Sequence, residues 1–200
     1  MVDVSLVGSV LLSLALGVGL SAAAGFRIFI PFLAASIAAL TGHLDLGGWS
    51  WIGTYPALVV FVVASVVEVG AYFIPWLDNL LDTIATPAAI VAGIVLTASV
   101  LTEVSPLLRW SMAIIAGGGT AATIQIGTVA IRGISSGTTL GFGNFAVAGA
   151  ELIGSIVTSV LAILIPLVAL VLVIVLIFLI VRQARSLRRR GLFRRRVIRQ

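Results

Sequence analysis

Polar positions are sparse along this chain, and the apolar runs between them predict its elements. Val4 to Leu40 is apolar for 37 residues apart from small hydroxyl residues and Arg27. As one helix it would reach about 55 Å, against a hydrocarbon core of about 30 Å, yet it is too short for two complete spans and a turn. Gly25 and Pro31 interrupt it, which predicts a span to about Ala24 and then a broken or re-entrant piece to Leu40. Thr41–Tyr55 reads as a loop whose Trp49, Trp51 and Tyr55 suit the headgroup level. Pro56 to Ile74 forms the second span, and Pro75–Thr86 a short amphipathic interfacial element. A third span runs from Pro87 to Thr102, and a fourth from Pro106 or Leu107 to about Ile131. Arg132–Asn144, rich in Gly, Ser and Thr, reads as a loop. Phe145 to Val181 is again 37 apolar residues, and Pro166 splits it into a fifth and a sixth span.

The continuity of these runs excludes a membrane barrel, whose strands alternate apolar and polar residues. With 60% hydrophobic and 10% charged residues in 200 and a mean hydropathy of +1.26, the chain is neither an ordinary soluble domain nor disordered. The expected fold is all-α: a polytopic helical membrane protein of about six spans, one transmembrane domain over 1–182 followed by an Arg-rich tail over 183–200. Val4–Ala24 is read as a retained span rather than a secretory signal, because Asp3 stands where a signal carries Lys or Arg.

Charge is segregated. All twelve positive charges are Arg, and nine lie in Arg182–Arg199. The pI near 11.3 therefore describes a tail and not a nucleic-acid-binding domain. Arg-rich flanks stay cytoplasmic. The expectation is a multi-pass protein of the bacterial inner membrane with both termini inside, its tail anchoring topology or resting on anionic lipid.

Two halves, 1–102 and 106–182, resemble each other weakly. Ala23-Ala24-Gly25-Phe26-Arg27-Ile28 matches Ala121-Ala122-Thr123-Ile124-Gln125-Ile126, so that Arg27 falls opposite Gln125. Glycines precede both segments: Gly17 and Gly19 in one, Gly117 to Gly119 in the other. Val66-Val67-Glu68-Val69 matches Gly149-Ala150-Glu151-Leu152. Three spans per half would make this a 3+3 inverted-topology repeat, as in many secondary transporters, unless the match is chance similarity between Ala/Gly-rich segments.

Arg27, Glu68 and Glu151 fall inside predicted spans, where a charge costs at least about 2.5–3.5 kcal/mol unless it finds a partner or water. If Arg27 holds one Glu, the other must be protonated or neutralised by a cation, which is a minimal coupling unit for H⁺ or Na⁺. Alternatively the charges only lock helices together. Asp78 and Asp82, four apart, are either a cation site at a pore mouth or a solvated face. Small residues recur every fourth position, at Ser5, Ser9, Ser13, Gly17, Ser21 and Gly25, and again at Ala146, Ala150, Gly154, Thr158 and Ala162. Such stripes let helix backbones approach closely, within a subunit or between two. Gly133–Gly143 could cradle an anion but reads better as a flexible linker.

The absence of Cys, and the single His43, leave no thiolate chemistry and no His-rich metal or haem site. No nucleophile elbow and no intramembrane Asp pair is found, so no catalytic residue, metal or cofactor is expected. Ser21 to Pro31, followed by a span with Glu68 and then Asp78 and Asp82, resembles a bacterial membrane family catalogued as domain of unknown function 4126. The Gly25-x-Arg27 segment with Pro31 is the most specific part. That resemblance implies a small integral membrane protein and no activity. The residues themselves point to a small transporter or channel-like permease, not an enzyme. Its expected site is Arg27, Glu68, Glu151, Gln125 and Gly25, its expected partners are the bilayer, a small ion or solute and a second copy paired through the first stripe. The alternatives are a structural or partner-binding subunit and a lipid-handling protein.

Overall fold

In the computed structural model the backbone is described for residues 4–71, 75–139 and 143–197, and side chains are described outside 75–83 and 187–197. Among these residues no strand forms. Eight helices follow in order: α1 (Val4–Phe26), α2 (Phe29–Leu40), α3 (Tyr55–Ala71), α4 (Pro75–Val100), α5 (Pro106–Met112), α6 (Gly119–Thr139), α7 (Asn144–Leu164) and α8 (Pro166–Val197). A 3-10 segment, Gly47–Gly53, precedes α3, and a π-helical turn, Ala113–Gly118, joins α5 to α6.

The punctuation follows from proline and small-residue chemistry. Pro31 lies in the first turn of α2, where its missing N–H leaves nothing unsatisfied but where it cannot prolong α1. Pro106 opens α5 and Pro166 opens α8, after Ile165 leaves helical geometry at φ −142° and ψ 73°. Pro87 does not open a helix as expected: it lies inside α4. The backbone of the expected interfacial element is therefore one helix with the third span. The side chains of Asp78 and Asp82 lie outside the described residues.

Arg132–Thr139, expected as loop, is the last two turns of α6. The Thr138 and Thr139 hydroxyls donate to the Ile134 and Ser135 carbonyls, so a run that reads as turn-forming closes on its own helix. The expected glycine break near Gly117 is instead the π-helical turn.

α1 is the central element and packs on α4, α6, α7 and α8. Its stripe of small residues makes this possible. A Cβ at Gly17 would stand 3.0 Å from the Thr97 Cα, one at Gly19 2.6 Å from the Ala162 Cβ, and one at Gly25 2.6 Å from the Ile124 Cβ. Ser21 donates to the Gly93 carbonyl at 2.8 Å, with Thr97 Oγ1 also at 2.8 Å. The stretch of the first stripe from Gly17 to Gly25 is thus consumed inside the chain and is not a surface for a second copy.

The contacts also fix directions. Ser9 meets Glu103 just beyond α4, Gly47 meets Thr102, and Gly53 meets Ala39. The start of α1, the end of α2 and the α4–α5 turn therefore share one end of the bundle. α2 returns antiparallel to α1. α8 runs parallel to α1, since Ala169 lies at Gly19 while Ile177 and Ile180 cluster with Phe26. The described start of α1 and the basic end of α8 are consequently at opposite ends, not on the same side. α1 and α6 also run parallel, with Gly17 and Gly117 both against Thr97 and Gly25 against Ile124. An inverted repeat would set α1 and α6 antiparallel, so this course does not fit one.

Among the described residues, four stretches are long and apolar enough to cross a membrane: Val4–Phe26, Pro106–Thr139, Asn144–Leu164 and Pro166–Ser186. There are five if the 3-10 segment and α3, bent by 64°, count as one span.

Candidate functional site

The chain breaks between α1 and α2 at Arg27 and Ile28. A broken helix exposes N–H groups that no carbonyl of its own can reach. Here the Ile28 N–H donates to Glu68 Oε1 at 2.8 Å and the Phe29 N–H donates to Glu68 Oε2 at 3.1 Å. Glu68 reaches from the last turn of α3 and holds the start of α2 with both oxygens. The positive end of the α2 dipole favours that negative charge. The expected alternative, Glu68 paired with Arg27, is not the arrangement formed.

Arg27 points elsewhere. It is 1% exposed, donates to the Ala148 carbonyl at 2.9 Å and lies 3.3 Å from Glu151 Oε2 on α7. Glu151, 4% exposed, also receives Arg132 from α6 in a two-pronged pair. Nε to Oε1 is 2.9 Å, and a second Arg132 nitrogen meets Oε2. The sequence reading put Arg132 in a loop, but it is buried in the same cluster. Among the described residues, both Arg27 and Arg132 pair with Glu151, and Glu68 is held by backbone N–H groups instead. Planar guanidinium forks suit such bidentate recognition. Burying these charges is tolerable because each carboxylate has donors.

Beside the break lies a cavity of about 710 Å³, lined by described residues of α1, α2, α3, α4 and α6 and open at the surface along Val63, Val67 and Ile84. Among the described residues its polar lining is Glu68 and Gln125; the rest includes Phe26, Phe29 and Ala88. Gln125 is buried. The cavity brings Glu68 and Gln125 together, while Arg27 and Glu151 meet behind the break. Gly25 serves by close approach: a Cβ there would stand 2.8 Å from the Ala121 carbonyl oxygen, so α1 crosses α6 where the two similar segments meet. A Gly-rich break followed by a Pro three residues into the next helix, and two intramembrane Glu, were the signals that found this site. Arg132 carried none, because its neighbours read as a loop.

The second stripe packs inside as well. Ser155 donates to the Ala23 carbonyl at 2.9 Å, and Ala162 faces Gly19. His43 lines a separate, apolar cavity of about 430 Å³ between α2 and α7. Glu103, outside the site, accepts from Ser9, and Asp45 accepts from the Gly47 N–H at 2.8 Å.

The family described as "Domain of unknown function (DUF4126)" matches residues 14–186, and the chain belongs to it. No curated protein and no solved structure matches.

Proposed function

We propose, taking membership of that family as the premise, that the chain is a small membrane permease whose Glu68 couples a solute to H⁺ or Na⁺. The observation that carries this reading is one carboxylate with two roles. Glu68 holds the start of a broken helix and also lines the cavity of about 710 Å³ beside it. Broken helices with their N-termini at a ligand site are a recurrent device of secondary transporters. Glu151, committed to Arg27 and Arg132, is on this reading a positioning residue that holds α1, α6 and α7 together. Gln125 supplies a neutral polar group across the cavity.

On this reading the α1–α2 pair enters and returns from one face of the bilayer, and the basic end of α8 lies in the cytoplasm against anionic lipid. The protein is then a multi-pass protein of the inner membrane, in which α3 and α4 cross beside the four stretches long enough to span it and the short α2 returns. The largely apolar cavity favours a second reading, a lipid-handling protein.

Proteoliposomes under an imposed pH or Na⁺ gradient test the proposal. Wild type should carry a cation current. Glu68→Gln should lower it at least about tenfold, the loss expected when a group that must exchange a proton is removed, with the helical fold retained. A wild type silent under both gradients, or a Glu68→Gln variant as fast as wild type, sinks the permease reading.

A further inference from the structure

The seat that Glu68 fills has the shape of a carboxylate site, and three independent features describe what else would fit it. The first is the pair of consecutive N–H groups at Ile28 and Phe29, satisfied from another helix by two oxygens at 2.8 and 3.1 Å. A helix start of this kind receives anionic groups of ligands as readily as those of side chains. The second is Gln125. It is 6% exposed and lines the same cavity. Its side-chain amide makes no hydrogen bond among the described residues and is not sealed off, so it is open to a group in the cavity. The third is the rest of the lining, which is aliphatic and aromatic. At about 710 Å³ the space is of the size that takes a small organic molecule rather than a bare ion.

We infer that this cavity binds a monoanionic amphiphile, an alkyl carboxylate, whose headgroup takes the seat on the Ile28 and Phe29 N–H groups when Glu68 leaves it. The tail lies along Val63, Val67, Ile84 and Ala88, and the Gln125 amide donates to the headgroup or to the displaced Glu68. Like-charge repulsion links the exchange to a proton. A headgroup that takes the two N–H groups from Glu68 sets a second carboxylate beside it in the same cavity, and a proton on Glu68 removes one of the two negative charges. Among the described residues, the charged groups around Glu68 are Arg27 at the end of α1, Glu151 on α7 and, beyond it, Arg132 on α6. The described residues of α2 and α4 that line the cavity carry no charge, and the side chains of Asp78 and Asp82 on α4 lie outside the described residues. That the ligand is carried across the membrane rests on the permease reading; that it binds does not.

The test is saturable binding of labelled octanoate to the full chain in phosphatidylcholine nanodiscs, counted above empty discs, with octanol and acetate as probes lacking the charge or the tail. Octanoate should bind, and octanol and acetate should not compete at equal concentration. Affinity should rise as the pH falls from about 8 to about 6, because only the fraction with neutral Glu68 is competent. Glu68→Gln should bind tightly at both pH values, and Gln125→Leu should bind at least about tenfold more weakly, having lost its donor. Glu68→Gln removes a helix cap and can fail to fold, but the probe series and Gln125→Leu still decide. Octanol equal to octanoate, affinity indifferent to pH, or an unchanged Gln125→Leu overturns the inference. Octanoate bound without any flux in proteoliposomes upholds it and removes the permease reading. Flux of protons with another solute and no octanoate binding overturns it and leaves that reading standing.

Discussion

At the scale of residues, Glu151 is the hinge of the buried charges, because both Arg27 and Arg132 converge on it. Glu151→Gln would strip both guanidiniums of the buried carboxylate they share, at a cost of about 3–5 kcal/mol. Arg132→Met removes one of the two and should cost less. The double variant should be more stable than the sum of the single losses predicts, since contacting residues couple by roughly 0.5–3 kcal/mol. Thermal unfolding in detergent measures the cycle, and strict additivity would show that the pair does not interact. Arg27, Glu68 and Glu151 were legible in the sequence because intramembrane charge is rare. Their pairing was not, since it depends on where α2 begins and how far α6 extends. Arg132 was missed because Gly133, Ser135, Ser136, Gly137, Thr138 and Thr139 read as a loop, whereas hydroxyls that donate back to carbonyls one turn earlier let the helix continue.

At the scale of elements, the packing of α1 depends on absent side chains. Gly25→Ala would press a methyl against Ile124 and the Ala121 carbonyl, and backbone cannot rotate away as a side chain can. We expect a loss of about 1–3 kcal/mol, typical of overpacking. Gly8, with nothing within 4 Å of a Cβ, should gain up to about 1 kcal/mol on substitution by Ala, from helix propensity. Melting temperatures of the two variants test this, and equal behaviour would mean that α1 and α6 do not approach so closely. The breaks at Pro31 and Pro166 were readable because proline acts locally. The continuity of α4 through Pro87 and the π-helical turn at Ala113–Gly118 were not. The turn depends on a neighbouring helix: Gly117 approaches the Gly93 carbonyl, where a Cβ would stand 2.6 Å away.

At the scale of the molecule, direction is the testable property. The chain has no cysteine, so single replacements report accessibility without background. Val4→Cys and Ser105→Cys should react with an impermeant maleimide from one side of the membrane, and Arg185→Cys from the other. Val4→Cys and Arg185→Cys labelled from the same side would refute the parallel course of α1 and α8. The helical class was legible at this scale because the apolar runs are continuous. The course of α1 was not, because α2 is only 12 residues long and the composition of a short apolar helix does not say whether it continues a span or turns back.

The distance in sequence between Arg27 and its acceptors has a consequence for how the protein is made. The Ala148 carbonyl that Arg27 reaches lies 121 residues further along, and Glu151 follows it. During synthesis α1 and α2 leave the ribosome long before α7 exists. The contacts of Arg27 with Ala148 and Glu151 can therefore form only after the seventh helix has been made, and the seat of the α1–α2 break is completed late in synthesis.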